Sequence, residues 1–367
     1  TSLFEGLADD AVTSISRFIC SIPTAVILYD LIPLIHQKIY LENEIIRQWY
    51  FSKLDSLRRG DLLLSISASS AQEAVKLLGF PDEAVVNIST ACEEYFKPQT
   101  YDNKSSACLR SRYGLVRPFV MYTGGIDHRK NIEGLIRAFA LLPTAVRKHY
   151  QLAVVCSAHD ADKKRLLLLA QESGLKETEV IMTGFVPEED LLALYNQCAL
   201  FVFPSWHEGF GLPALEAMAC GRPVIGSNVS SIPEVIGNEA ALFDPRDDAS
   251  ISAKMLQALT DDTFRNSLIE KGIEQAKAFS WKLSAARAWQ AIRNAVAVQP
   301  SRCTKQLLLS EQRLRLAYIS PVPAARSGIA DYSAELLPEL SRYYSIDIIA
   351  EQQEEITDPW LLANCPI

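Results

Sequence analysis

The sequence predicts an α/β protein built from Rossmann-like, doubly wound parallel sheets. Three observations lead there. Short apolar runs recur along the 367 residues, and most are followed by a segment of helical length and spacing. That alternation of strand and helix is the pattern of parallel α/β layers. Two polar stretches, 97–112 and 299–312, interrupt it in a chain too long for one ordinary core, so more than one domain is expected.

Taken in order, residues 24–29, 62–66 and 85–88 read as buried strands, with helical patterns over about 36–57 and 71–78. After the first polar stretch the alternation restarts. Strands are expected at 119–122, 152–156, 179–182 and 200–203, and helices at 132–142, 163–172 and 188–197. Helices at 249–259, 262–279 and 281–297 complete this unit. Beyond the second polar stretch, a strand at 314–319, a Pro-rich loop, a helix at 331–340 and a strand at 346–350 begin a further unit.

Composition narrows the function classes. Hydrophobic residues make up 49% and charged residues 22%, as in globular proteins. A net charge of −8 argues against a general nucleic-acid surface, which needs a basic field. Eight scattered cysteines, without CxxC or zinc-type spacing, point to structural thiols in a reduced compartment. No run of roughly 18 apolar residues and no signal-peptide pattern occurs, so a cytoplasmic protein is expected. Residues 38–59 mix Lys, Arg, Trp and Tyr at helical spacing, a pattern compatible with peripheral contact at the inner membrane face. An amphipathic core helix explains it as well. The chain begins at Thr1, which reads as a fragment or a trimmed product.

The most informative stretch is Ser205-Trp206-His207-Glu208-Gly209-Phe210-Gly211-Leu212-Pro213-Ala214-Leu215-Glu216. It follows a predicted strand, and ligands of such sheets bind beyond the carboxyl ends of the strands. Gly209 and Gly211 allow close backbone approach, and Pro213 suits the first helical position, where its missing N–H costs nothing. The free amides at the helix start favour a diphosphate. Glu216 is expected in the first turn, so that it and Glu208 border one crevice. Ionised carboxylates only accept hydrogen bonds and suit hydroxyl-rich partners such as ribose and hexose. A second basic stretch, Gly124-Gly125-Ile126-Asp127-His128-Arg129-Lys130-Asn131, follows another predicted strand.

Together these stretches resemble the Glu-x7-Glu motif and phosphate loop of the retaining GT-B glycosyltransferases of group 1. The resemblance implies that Glu208 contacts the donor sugar and that the amides of Gly209, Phe210, Gly211 and Leu212 hold sugar and diphosphate. It implies that Glu216 binds the ribose hydroxyls, while Lys130 and Arg129 stabilise the departing diphosphate. Many members carry Arg where Gly125 stands here, which shifts the phosphate contacts toward Arg129. Gly124 and Gly125 line the phosphate loop, and the segment Thr183-Gly184-Phe185-Val186-Pro187 resembles the one lining the nucleobase. Phe279-Ser280-Trp281 resembles the crossing of the last helix back to the partner domain. No metal and no cofactor are implied. Asp160-Ala161-Asp162 matches a metal-binding DxD pattern, but at a helix start it reads better as a cap.

The resemblance assigns residues 1–112 to a partial, acceptor-side N-terminal domain and 113–298 to a complete donor-binding domain. Residues 299–312 are then a linker. Residues 313–367 look like the opening of another N-terminal-type domain, as in a tandem enzyme. The strand at 24–29 leads to Tyr29-Asp30, where the family often has His-Asp, so catalysis at Tyr29 is not expected. The implied activity moves a hexose from a nucleotide-diphosphate sugar to a glycan or lipid-linked oligosaccharide acceptor, with retention, in polysaccharide biosynthesis. Similarity of the 124–131 stretch to bacterial mannosyltransferases points to GDP-mannose. A GT-B nucleotide-sugar epimerase, separable by product analysis, and a non-catalytic nucleotide-sugar-binding module are the rival readings.

Overall fold

The computed structural model describes residues 15, 23–298, 314–323, 325, 328–350 and 355–365. The predicted linker 299–312 lies outside them. Among the described residues three parallel sheets form. The first contains β1 (Ala25–Leu28), β2 (Leu62–Ser65) and β3 (Val85–Asn87), in that order. The second contains β4 (Phe119–Thr123), β5 (Gln151–Val155), β6 (Val180–Met182), β7 (Leu200–Phe203), β8 (Val224–Ser227) and β9 (Leu242–Phe243). A pair of strands, β10 (Leu314–Ile319) and β11 (Tyr344–Ile349), makes the third. The chain divides into two compact units, one reaching to Thr90 and resuming at Ser280, the other spanning Ala91–Phe279.

In the first unit every residue of β2 is buried, as a strand covered on both faces requires. The helix Trp281–Val298 packs on this sheet, setting Ala288 and Ala291 against Leu62, Leu64 and Ile88, where small side chains let helix and strand approach closely. Its Trp281 meets Tyr332 edge-on, with ring centroids 4.8 Å apart. The helical span expected over 36–57 is broken. A short turn, Gln37–Tyr40, stops at buried Leu41, and Asn43 then caps a new helix, Glu44–Leu57, by accepting from the amides of Ile45 and Ile46. Over 71–78 the chain forms an α-helical segment, Ala68–Glu73, that passes into a π-helical turn, Ala74–Leu78.

The second unit holds the complete sheet, in the order β6-β5-β4-β7-β8-β9. Its winding reverses between β4 and β7, which pair through Val120↔Leu200 and Met121↔Phe201. The loops leaving these two strands therefore flank the switch point, where ligands of doubly wound sheets bind. Two corrections arise here. The polar stretch 97–112 is not all linker, because Asn103–Arg112 is a helix capped by Asp102, which accepts from the amides of Lys104 and Ser105. Strands β8 and β9 and the helices Thr144–His149 and Ile232–Ile236 were also not anticipated.

Strand β8 runs tightly beneath its neighbours. A β-carbon at Gly226 would lie 2.5 Å from Ile236 Cδ1 and 2.9 Å from Ile232 Cγ2. Gly226→Ala is therefore expected to cost about 1–3 kcal/mol by overpacking. An unchanged denaturation midpoint would contradict this contact.

Candidate functional site

Strand β4 ends at Thr123, and the chain turns sharply through Gly124, whose φ of 142° is open to glycine. The buried Tyr122 hydroxyl donates to the carbonyl of Gly125 at 3.0 Å, holding this loop from below. Asp127 then caps a single 3₁₀ turn, His128–Lys130, accepting from the Arg129 amide at 3.0 Å. That turn directs two cations toward the loop after β7.

There they meet Glu208. Arg129 Nη1 lies 2.6 Å from Glu208 Oε2, and Lys130 Nζ lies 2.7 Å from Oε1. Arg129 also donates to the carbonyl of His207 at 3.0 Å, and Lys130 Nζ stands 5.7 Å from the centre of the Phe203 ring. Glu208 is buried, at 6% exposure. Burial alone would push its carboxyl upward, but Lys130 and Arg129 outweigh that and hold it below the ordinary 4.5, so it is ionised at neutral pH. The loop is anchored behind by two serines after β8. Ser230 accepts from the Glu208 amide at 3.0 Å, and the buried Ser231 hydroxyl bridges the carbonyls of Glu208 and Phe210 at 2.9 and 2.6 Å.

The helix after Glu208 runs Leu212–Ala219. Pro213 is thus its second residue, not its first, and Glu216 lies in the second turn instead of the expected first. The Glu216 carboxylate accepts from the Tyr195 hydroxyl at 2.6 Å. Burial pushes its carboxyl up to about 7, which the Tyr195 hydrogen bond opposes and the charge of Glu188 reinforces. Gly211, with φ of 121°, passes close under Phe203, and Phe210 is buried edge-on against Phe279.

Of the residues singled out by sequence, Arg129, Lys130 and Glu208 come together, with Gly124 beside Lys130 and Gly209 to Leu212 continuing from Glu208. A β-carbon at Gly125 would meet open space. Gly184 and Phe185 lie on a different loop, after β6, where Gly184 has φ of 75° and Phe185 is 75% exposed. His207 contributes its carbonyl to Arg129, and it is His128 that packs against Trp206, with ring centroids 4.6 Å apart. Asp160 and Asp162 fall in the first turn of the helix Asp160–Glu172, and the capping position belongs to His159. Among the described residues no group of three His, Cys, Asp or Glu side chains could hold a metal ion. No described helix is long and apolar enough to cross a membrane. A cavity of about 820 Å³ opens in the first unit, lined by Leu78, Phe80 and Ala291 among others. The site after β4 and β7 is marked by convergent charge at the sheet's switch point.

Sequence reasoning did not assign Tyr122, Tyr195, Ser230 or Ser231. A Ser-Ser pair between a strand and an Ile-Pro-Glu helix start was the available signal for the last two.

Residues 114–275 match the family described as Glycosyl transferases group 1. The chain is 37% identical over 356 residues to an Escherichia coli protein named serotype-specific mannosyltransferase WbdA, covering 93% of this chain and 43% of that protein. It is 38% identical over 246 residues to O-antigen chain mannosyltransferase B of Escherichia coli, covering 66% of this chain and 63% of the relative. A sucrose-phosphate synthase from Thermosynechococcus elongatus superposes with a TM-score of 0.61 at 25% identity, covering 75% of this chain and 68% of that one. The chain thus spans less than two thirds of either mannosyltransferase. The architecture is that of the GT-B glycosyltransferases. The stretch that matches the glycosyl transferases group 1 family lies within the second unit.

Proposed function

We propose that this protein transfers mannose from GDP-mannose to a growing O-antigen-type glycan or lipid-linked oligosaccharide, with retention at the anomeric carbon. The observation that carries the reading is the buried Glu208 carboxylate shared by Lys130 and Arg129 at the sheet's switch point. The names of the mannosyltransferase relatives support the choice of sugar and of acceptor class.

In this scheme the arriving diphosphate takes over hydrogen bonds from Lys130 and Arg129 that Glu208 accepts in the free protein. The Glu208 oxygens then become available to hexose hydroxyls. The bond from the anomeric carbon to the β-phosphate oxygen breaks, a bond to the acceptor oxygen forms on the same face, and the acceptor's hydroxyl proton passes to the departing diphosphate. Charge accumulates on the departing diphosphate, where two fixed cations and the amides from Gly209 to Leu212 stabilise it. Glu216 receives the ribose hydroxyls, and the loop carrying Gly184 and Phe185 borders the base. No metal enters the scheme.

Lys130→Ala should weaken GDP and GDP-mannose binding by roughly tenfold or more, because a charge-assisted contact of about 1.5–3 kcal/mol is removed. Guanosine, lacking phosphate, should bind the variant and the parent alike. Titration calorimetry with the three ligands tests this, and equal losses for guanosine and GDP would refute the assignment of Lys130.

A further inference from the structure

Directly after the two cations, Asn131 adopts a left-handed backbone, with φ of 54° and ψ of 39°. Asn is among the few residues with a side chain that enter this region readily. Its side chain is 1% exposed. The side-chain amide donates to two main-chain carbonyls, Pro204 at 3.1 Å and Pro245 at 2.9 Å. Since both neighbours are acceptors, the amide nitrogen must face them. Pro204 opens the loop after β7 that carries Glu208, and Pro245 lies in the loop after β9. Trp206 adds two bonds to the same tie, its amide donating to the Arg129 carbonyl at 2.7 Å and its indole to the Pro245 carbonyl at 3.1 Å. Space for the amide is made by Gly134, where a β-carbon would lie 2.4 Å from Asn131 Oδ1.

We infer that Asn131 is a positioning residue for sugar transfer, which joins the loops after β4, β7 and β9 and thereby sets the spacing of Lys130 and Arg129 against Glu208. The inference rests on the donor-site reading above and goes beyond it. Asn131 has no direct role toward the donor. It acts through where the cations stand, and a small displacement of a charged group at a reacting centre is costly.

The test is a double-mutant cycle with Lys130, read by GDP titration and by donor KM and kcat. Asn131→Gly keeps the left-handed backbone accessible while removing the tie. It should weaken GDP binding roughly 10- to 100-fold and raise the donor KM. In a Lys130→Ala background the same change should cost clearly less than it does in the parent, because one of the two cations it positions is already gone. Gly134→Ala, which crowds the amide without removing it, should shift GDP affinity in the same direction and serves if Asn131→Gly fails to fold. A purely structural role would lower kcat with the active fraction and leave KM and GDP affinity unchanged, overturning the inference. Independent, additive losses in the cycle would overturn it as well. If Lys130→Ala alone leaves GDP binding intact, it is the donor-site reading that fails.

Discussion

Glu208→Ala is expected to make the free protein less stable while making it respond more strongly to GDP. The carboxylate is the shared counter-ion of two largely buried cations, since the side chains of Lys130 and Arg129 are only 12% and 22% exposed. Removing one partner of a buried pair leaves uncompensated charge, at a cost of about 3–5 kcal/mol. A diphosphate brings negative charge back to the same place, so the thermal shift caused by GDP should be larger in the variant than in the parent. Sugar transfer should nevertheless fall by about two orders of magnitude or more if Glu208 faces the hexose as proposed. The pH dependence follows from the direction of the shift. Lys130 and Arg129 hold the Glu208 carboxyl below its ordinary 4.5, so its contribution to stability is complete above that value and is lost as the pH falls through the lower, folded-state value. The variant should lack this acid limb. A variant as stable as the parent, or one with a smaller response to GDP, would show that the triad does not carry the diphosphate.

The sequence reading reached this triad because its parts lie in two compact segments, each directly after a strand of four or five apolar residues. A continuous apolar run followed by glycine is a local signal, and the carboxyl end of a parallel strand is a fixed place in the fold. What was not legible depends on partners far away in sequence. Ser231 looks like an ordinary loop serine, and its importance lies in two carbonyls more than twenty positions earlier. Tyr195 reads as one more apolar position on the helix Glu188–Gln197, yet its hydroxyl faces Glu216. The helix Asn103–Arg112 reads as linker in the sequence because Leu109 is its one buried residue, so it shows almost no apolar period. Its Asp102 cap was the available signal. Strand β8 contains a glycine and only two large apolar residues, and it is recognisable mainly through the strands it joins. The break at residues 41–43 follows from a capping Asn that the longer helical period concealed.

Glu216 leads to an effect of opposite sign. In the folded protein its carboxyl is pushed up to about 7 by burial, against an ordinary 4.5. Between those two values the folded chain keeps a proton that the unfolded chain releases, so stability declines as the pH rises through that window. With 1.36 kcal/mol for each unit, the decline amounts to about 3 kcal/mol by pH 8. Glu216→Gln keeps the shape and can still accept the 2.6 Å hydrogen bond from Tyr195, but it cannot ionise. The variant should therefore match the parent near pH 4.5 and exceed it by about 3 kcal/mol at pH 8, as read from denaturation midpoints across the range. Nucleotide binding should move the other way. Ribose hydroxyls donate to a carboxylate, so in the parent GDP affinity should rise with pH through about 7, as the proton leaves. In Glu216→Gln it should be flat with pH and roughly tenfold weaker or more at pH 8. A gain in stability coupled to a loss of affinity, at one half-buried position, is what a ligand-gripping acid held in a largely apolar setting produces. If the variant's stability followed the parent's pH profile, the buried carboxyl would have to be ionised throughout, and the linkage between its proton and the nucleotide would be gone.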